Sequence, residues 1–179
     1  MKWGYVTSSI FLFVFALSFS LTSQNEMSWE TFTSKEGKFS ILMPISPSFT
    51  KAQHKSFIGM IEENTFRTKS NSETFSIEYS DLPRSAFILA SAETILDETR
   101  EGFLNNGRGI QLQFTPITFQ GNPGRLLIFK TLPPDSPVEM IGKAYFYLVN
   151  QRLYVLVGTA PRAALSNNTD RFLSSFKLL

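Results

Sequence analysis

The chain has no cysteine in 179 residues and only one histidine, His54. The absence of cysteine excludes disulfide bonds, thiol catalysis, iron–sulfur ligation and cysteine-based zinc sites. Charge is sparse and nearly balanced, with 17 basic and 15 acidic residues and a formal net charge of +2. The basic residues are scattered and form no stripe, so we expect no nucleic-acid partner.

Aromatic residues, in contrast, are plentiful. The sequence is 42% hydrophobic and contains 18 phenylalanines. Aromatic side chains suit the pleated, half-buried surface of a sheet, which favours a β-rich core. The length suffices for one globular domain and hardly for two.

The N-terminus has the pattern of an export signal. Lys2 is followed by an apolar run, Ile10–Leu21, and then by small residues up to Ser23. The run is shorter than the roughly 20 residues that a membrane-spanning helix needs. We therefore predict a signal peptide over residues 1–23, a single mature domain over 24–179, and a periplasmic or extracellular location. An uncleaved N-terminal membrane anchor is the alternative.

The stretch Lys143–Thr159 predicts the central element of the fold, a β-hairpin with a two-residue turn at Asn150-Gln151. The register that follows pairs Val149 with Arg152, Tyr147 with Tyr154, and Tyr145 with Leu156. Because glutamine adopts left-handed backbone poorly, a longer loop is the alternative. Both strands are apolar on both faces, so both faces should be covered.

Elsewhere the patterning predicts further strands and two helices. Strands are expected near residues 29–33, 39–43, 49–54, 57–68, 75–80, 110–120 and 125–132, the fifth of them with Ser76, Glu78 and Ser80 facing water. One helix is expected from Ile88 to a stop at Gly107, and a short one near the C-terminus. The last four strands, from Ile110 to Ala160, should form a meander. The predicted class is α+β, a central antiparallel β-sheet with helices on both faces.

Four stretches resemble the PsbP-like superfamily: Trp29–Pro44, the turn Gly121–Arg125, the tyrosine-rich hairpin, and the closing Arg171–Phe176. That resemblance implies an α/β/α sandwich. The superfamily includes the extrinsic PsbP subunit of photosystem II, a Ran-binding nuclear transport factor and many exported bacterial proteins of unknown role. It shares no single function, so no ligand or partner residue is carried over.

Candidate binding residues come from the strands around the hairpin. Arg125 and Arg152 are candidates to meet near one end of the sheet and bind an anion or an acidic partner, although arginine is also common at strand ends. Tyr145 and Tyr147 are predicted to line a groove, although aromatic residues paired across strands more often belong to a core.

The sequence gives little indication of a catalytic site or a metal site. His54 has no nucleophile-elbow motif near it, and the adjacent carboxylates Glu62-Glu63 and Asp97-Glu98 point away from each other. We therefore expect no cofactor and no metal, and a non-enzymatic domain that binds a protein partner or helps to assemble a complex. A small exported hydrolase using His54 or a carboxylate pair is the alternative.

Overall fold

The computed structural model describes residues 28–56, 59–107, 109–132, 138–162 and 167–179. The strands are β1 (Glu30–Ser34), β2 (Phe39–Met43), β3 (Ser48–Ser56), β4 (Gly59–Ser70), β5 (Glu73–Asp81), β6 (Gly109–Phe119), β7 (Asn122–Thr131), β8 (Met140–Val149), β9 (Arg152–Pro161) and β10 (Lys177–Leu178). The helices are α1 (Ala86–Leu89), α2 (Ala92–Asn106) and α3 (Asn167–Ser174). The predicted signal peptide lies outside these ranges, and within them no helix has the length and apolar character to cross a membrane.

Seven strands form one antiparallel sheet in the order β3-β4-β5-β9-β8-β7-β6. The last four in sequence, β6 to β9, are consecutive neighbours, which confirms the predicted meander. Strand β9 has three strands on either side of it. A second sheet, in the order β1-β2-β10, was not expected from the sequence.

The central hairpin has the predicted register. Val149 pairs with Arg152, Tyr147 with Tyr154, and Tyr145 with Leu156. Asn150 takes the left-handed conformation, with φ of 54°, and the two-residue turn closes without a longer loop. Phe146 and Leu156 are fully buried and belong to separate apolar clusters on opposite faces. Both faces of the hairpin are therefore covered, as its sequence requires.

Helix α2 covers one face over β6, β7 and β8. The side chain of Ser91 caps it by accepting a hydrogen bond from the Thr94 amide at 3.1 Å. The prediction of one helix from Ile88 is wrong at its start. Ala90 is extended and ends the separate helix α1, which leaves Ile88 84% exposed.

The other face is covered by α3 and by the three-stranded sheet. Their side chains form an aromatic cluster with the large sheet, in which Phe39 and Phe172 are fully buried. Phe39 lies within 6.4 Å, between ring centroids, of Phe66, Tyr79, Tyr154 and Phe176. Helices on both faces were predicted correctly, and the small sheet adds to the second of these layers.

Two local predictions need correction. Ser76 and Ser80 of β5 do not face water but are 5% and 6% exposed, because β5 lies inside the sheet between β4 and β9. The turn before β7 lies at Gln120-Gly121, both with positive φ, rather than across residues 121–124. Since these two residues supply the turn, Pro123 is already part of β7 and pairs with Thr118.

The close approach of Phe129 to Gly142 generates a stability prediction. A Cβ at position 142 would overlap the Phe129 ring, so we expect Gly142→Ala to lower the free energy of unfolding by about 1–3 kcal/mol through overpacking. Gly102→Ala is the matched control, because the helix surface there is open and alanine should stabilise it by about 0.5–1 kcal/mol. Urea denaturation of both variants measures the difference. Wild-type stability in Gly142→Ala would contradict the packing described.

Candidate functional site

Arg125 lies on the face of the sheet that α2 covers. It pairs across strands with Phe146, and its side chain is only 11% exposed. Its Nε lies 3.5 Å from Asp97 Oδ1, and its guanidinium lies 5.8 Å from the centre of the Phe114 ring. Arg125 thus ties β7 to α2 and does not stand at an open sheet end.

Arg152 lies on the opposite face. Its Nε and Nη2 donate to the two carboxylate oxygens of Asp81, each at 2.6 Å, and its Nη1 donates to the Glu36 carbonyl at 2.7 Å. Hydrogen bonds from Arg152 hold the pKa of Asp81 below its usual range. The guanidinium also lies over the ring of Tyr79, 4.7 Å from its centre. The two arginines are therefore not brought together, since the sheet separates them.

A cavity of about 360 Å³ at the turn end of the hairpin is lined by Arg152, Asp81 and Lys38, among others. The donors of Arg152 point to Asp81 and Glu36, so this arginine joins β9 to β5 and to the β1–β2 turn. Its role is structural bracing at the mouth of that cavity.

Tyr145 and Tyr147 are brought together, with ring centroids 5.7 Å apart. Tyr147 is 6% exposed and stacks on Phe176 at 6.0 Å with an interplanar angle of 11°. Burial raises the pKa of the Tyr147 hydroxyl. Tyr147 is therefore part of the aromatic core, and Tyr145 lies half-buried at its rim.

The remaining sequence candidates are dispersed. Glu62 pairs with Lys51 of the neighbouring strand at 2.8 Å, and Asp97 is engaged by Arg125. His54 lies in the edge strand β3, where its backbone pairs with Ile61 of β4, and its side chain lies outside the described part of the structure. Within the described part, histidine and carboxylate side chains do not gather in a group of three that could hold a metal ion.

A polar hollow of about 200 Å³ was not anticipated from the sequence. It lies at the C-terminal end of α2, and its lining residues come from β4, β5 and β9 and from the neighbouring ends of β6 and β7. Its floor is formed by Thr74, Ser76, Val157 and Thr159, and Arg67, Glu78, Phe103 and Phe129 line it as well. The hollow thus combines hydroxyls, one cation, one carboxyl and an apolar wall.

Glu78 is the titratable group of the polar hollow. It is half-buried, and burial raises its pKa to about 7, with a further contribution from Glu63 and an opposing one from Arg67. A carboxyl with a raised pKa in a cleft is a candidate functional group. Sequence reasoning placed Glu78 on a wet face. The residues at alternate positions, Ser76 and Ser80, are as compatible with a polar buried face as with a solvent-exposed one. Only the strand order distinguishes these two environments.

The edge strand β6 is a second candidate site. It is 11 residues long, and its sequence, GIQLQFTPITF, contains no charged residue. Ile110 and Leu112 are 58% and 54% exposed. The pairing register shifts between Gln111 and Gln113, which makes Leu112 the extra residue of a β-bulge. Natural edge strands usually carry charges that discourage added strands, and β6 has none.

Comparison with solved structures places this architecture. The cyanobacterial PsbP (CyanoP) from Synechocystis sp. PCC 6803 matches with a TM-score of 0.56 and 13% identity, over 89% of this chain and 98% of that chain. The fold is PsbP-like. The identity is too low to carry more than the fold.

Two further structures are more distant. A Bacteroides thetaiotaomicron protein has a TM-score of 0.48 at 11% identity, over 83% of this chain and 48% of that one. A Pseudomonas aeruginosa protein of unknown function has a TM-score of 0.35 at 11% identity, over 76% and 85%. No protein-family model and no curated protein matches the sequence.

The raised pKa of Glu78 predicts a pH-dependent stability. The folded state holds the Glu78 proton more tightly than the unfolded state, whose pKa is near the ordinary 4.5. The stabilisation is complete below that value and is lost as the pH rises through about 7. We expect the ionisation of Glu78 to lower the free energy of unfolding by roughly 2–3 kcal/mol as the pH rises from about 4.5 to about 8.

Urea denaturation across that pH range measures this effect. Glu78→Gln keeps the shape but cannot ionise, so the fall should vanish in this variant and its stability should exceed that of the wild type at about pH 8. Glu98→Gln, on the exposed side of α2, is the matched control and should retain the wild-type slope. Equal slopes in the wild type and in Glu78→Gln would refute the assignment.

Proposed function

We propose that the protein is an exported, non-enzymatic domain that binds a partner protein in the cell envelope or outside the cell, through the edge strand β6. The observation that carries this proposal is the long, uncharged edge of β6 with Ile110 and Leu112 exposed. An unpaired edge offers backbone donors and acceptors to an added strand, and alternate side chains then set specificity.

The opposite edge of the sheet shows the contrast. Strand β3 carries Lys51 and Lys55, and Lys51 is already paired with Glu62. Lysines on an edge strand disfavour the approach of another strand because their charge would have to be desolvated. The two edges therefore differ in charge, and β6 is the uncharged one.

The occupant that fits β6 is an extended segment of a different protein. A second copy would bring its own β6, with its own bulge at Leu112 and its own Pro116, which has no backbone N–H to donate. Both strands of such a pair would be short of donors and irregular in spacing. A foreign strand with a complete set of N–H groups makes the better ladder.

Export is supported by the sequence pattern over residues 1–23. Arg125, Arg152 and Tyr147 are engaged in structural contacts, so the support for a binding role is the β6 edge with Ile110 and Leu112 exposed. The Synechocystis protein is similar in architecture only, so the partner has to be found for this chain itself.

The β6 edge is tested by a double variant, Ile110→Lys with Leu112→Lys. Two lysines on this strand should abolish strand addition while leaving the domain folded, because both side chains are already exposed. Tagged protein is purified from the envelope fraction of the cells that produce it, and the partner recovered with the wild type should be lost with the variant. In the wild-type complex, hydrogen exchange should show new protection of β6 amides.

Ala52→Lys is the matched control, since Ala52 is exposed on the other edge strand, and it should recover the same partner as the wild type. Retention of the partner by the double variant would contradict the proposal. A concentration-dependent dimer that the double variant abolishes would contradict it too, by making a second copy the occupant.

Export has its own test. Mass spectrometry of the intact protein from envelope and external fractions should show a chain that begins near Gln24, because the signal peptide has been removed. Membrane-bound protein that retains Met1 would contradict cleavage and would indicate that the N-terminal segment is an uncleaved membrane anchor. The cytoplasmic fraction serves as the control for unprocessed precursor.

A further inference from the structure

We propose that the polar hollow binds a small zwitterion of the free α-amino-acid type, with Glu78 receiving the ammonium group and Arg67 the carboxylate. The site touches β6 only at its first residue, Gly109, and the proposal does not depend on the partner-binding role.

The strand register places the two charged side chains, Arg67 and Glu78, on the same face of the sheet and on adjacent strands. Arg67 of β4 pairs with Ser76 of β5, and Glu78 is two residues further along β5 on the same face. Diagonal neighbours of this kind lie roughly 7–8 Å apart between their backbones. The ion pairs of the described residues do not include one between Arg67 and Glu78. Opposite charges that share one cavity without closing on each other leave room for a ligand between them.

A simple ion would interact favourably with only one of these two charged groups. A simple anion would meet Arg67 but would also be repelled by the carboxylate of Glu78, and a simple cation would face the reverse problem. A molecule that carries both charges can form an ion pair with each of the two groups. The guanidinium of Arg67 can bind a carboxylate in a bidentate geometry. The hydroxyls of Thr74, Ser76 and Thr159 can accept or donate the remaining hydrogen bonds.

The size and walls of the hollow restrict the ligand further. A volume of about 200 Å³ is enough for a small amino acid. Val157, Phe103 and Phe129 supply an apolar side that would receive a short aliphatic side chain.

Protonation of Glu78 should be linked to binding. Burial and Glu63 raise its pKa, and Arg67 lowers it. On β9 the residue opposite is the uncharged Val155, on β4 the residue opposite is Thr65, and Lys69 lies further along β4 at the level of Thr74. An ammonium group favours the ionised carboxylate, so affinity should increase from about pH 6 to about pH 8 and binding should release protons.

Isothermal titration calorimetry on the purified protein tests the proposal with L-alanine as the probe. L-alanine should bind, whereas propionate and ethylamine, which each carry one of its two charges, should bind at least about tenfold more weakly. Glu78→Gln and Arg67→Gln should each reduce the affinity for L-alanine by at least about tenfold.

Arg84→Gln and Glu98→Gln are the matched controls, since both side chains are exposed outside the hollow, and they should leave the affinity unchanged. Circular dichroism confirms that each variant is folded. Amide resonances of Ser76 and Thr159 should shift on titration with L-alanine, which places the ligand in the hollow. Absence of L-alanine binding, ethylamine binding as tight as that of L-alanine, or unchanged affinity in both site variants would each overturn the proposal.

Discussion

The central hairpin imposes the main constraint on this protein. Phe146 and Val155 on one face and Tyr147 and Leu156 on the other are all buried, so neither face can be left to water. At about 25 cal/mol per Å² of apolar surface removed from water, exposing either face would cost much of the stability of a domain this size. The chain meets this constraint with two layers. Helix α2 covers one face, and α3 together with the small sheet covers the other.

The two layers are unequal, and this difference produces the candidate sites. Helix α2 lies over β6, β7 and β8 and ends before it reaches β5. Beyond its C-terminal end the same face of the sheet carries Ser76, Glu78 and Arg67 instead of apolar residues. The polar hollow is therefore the uncovered continuation of a covered face. The second candidate site, the edge strand β6, is the place where the strand order of the large sheet ends.

Local periodicity and turn residues were sufficient to predict the hairpin register, the meander and the two-sided cover, because each depends on neighbours in sequence. The separation of Arg125 from Arg152 depends on counting faces across three strands, and one bulge or turn alters that count. Burial of Ser76 and Ser80 depends on the position of β5 inside the sheet, which pattern alone does not supply. Glu78 was missed for the same reason. Five-residue strands such as β1 and β2 give too weak a signal to show which sheet they join.

The two-residue strand β10 has a consequence for how the chain folds. Lys177 and Leu178 pair with Ser40 and Phe39, and the Ser175 hydroxyl accepts from the Leu42 amide across 133 positions of sequence. This contact closes one of the longest loops in the molecule, and loops of that kind form late because their ends must first be brought together. A nascent chain whose β2 is already made must therefore wait for its final residues before that sheet is complete. The layer that covers the aromatic face is therefore completed by residues from opposite ends of the described part of the chain.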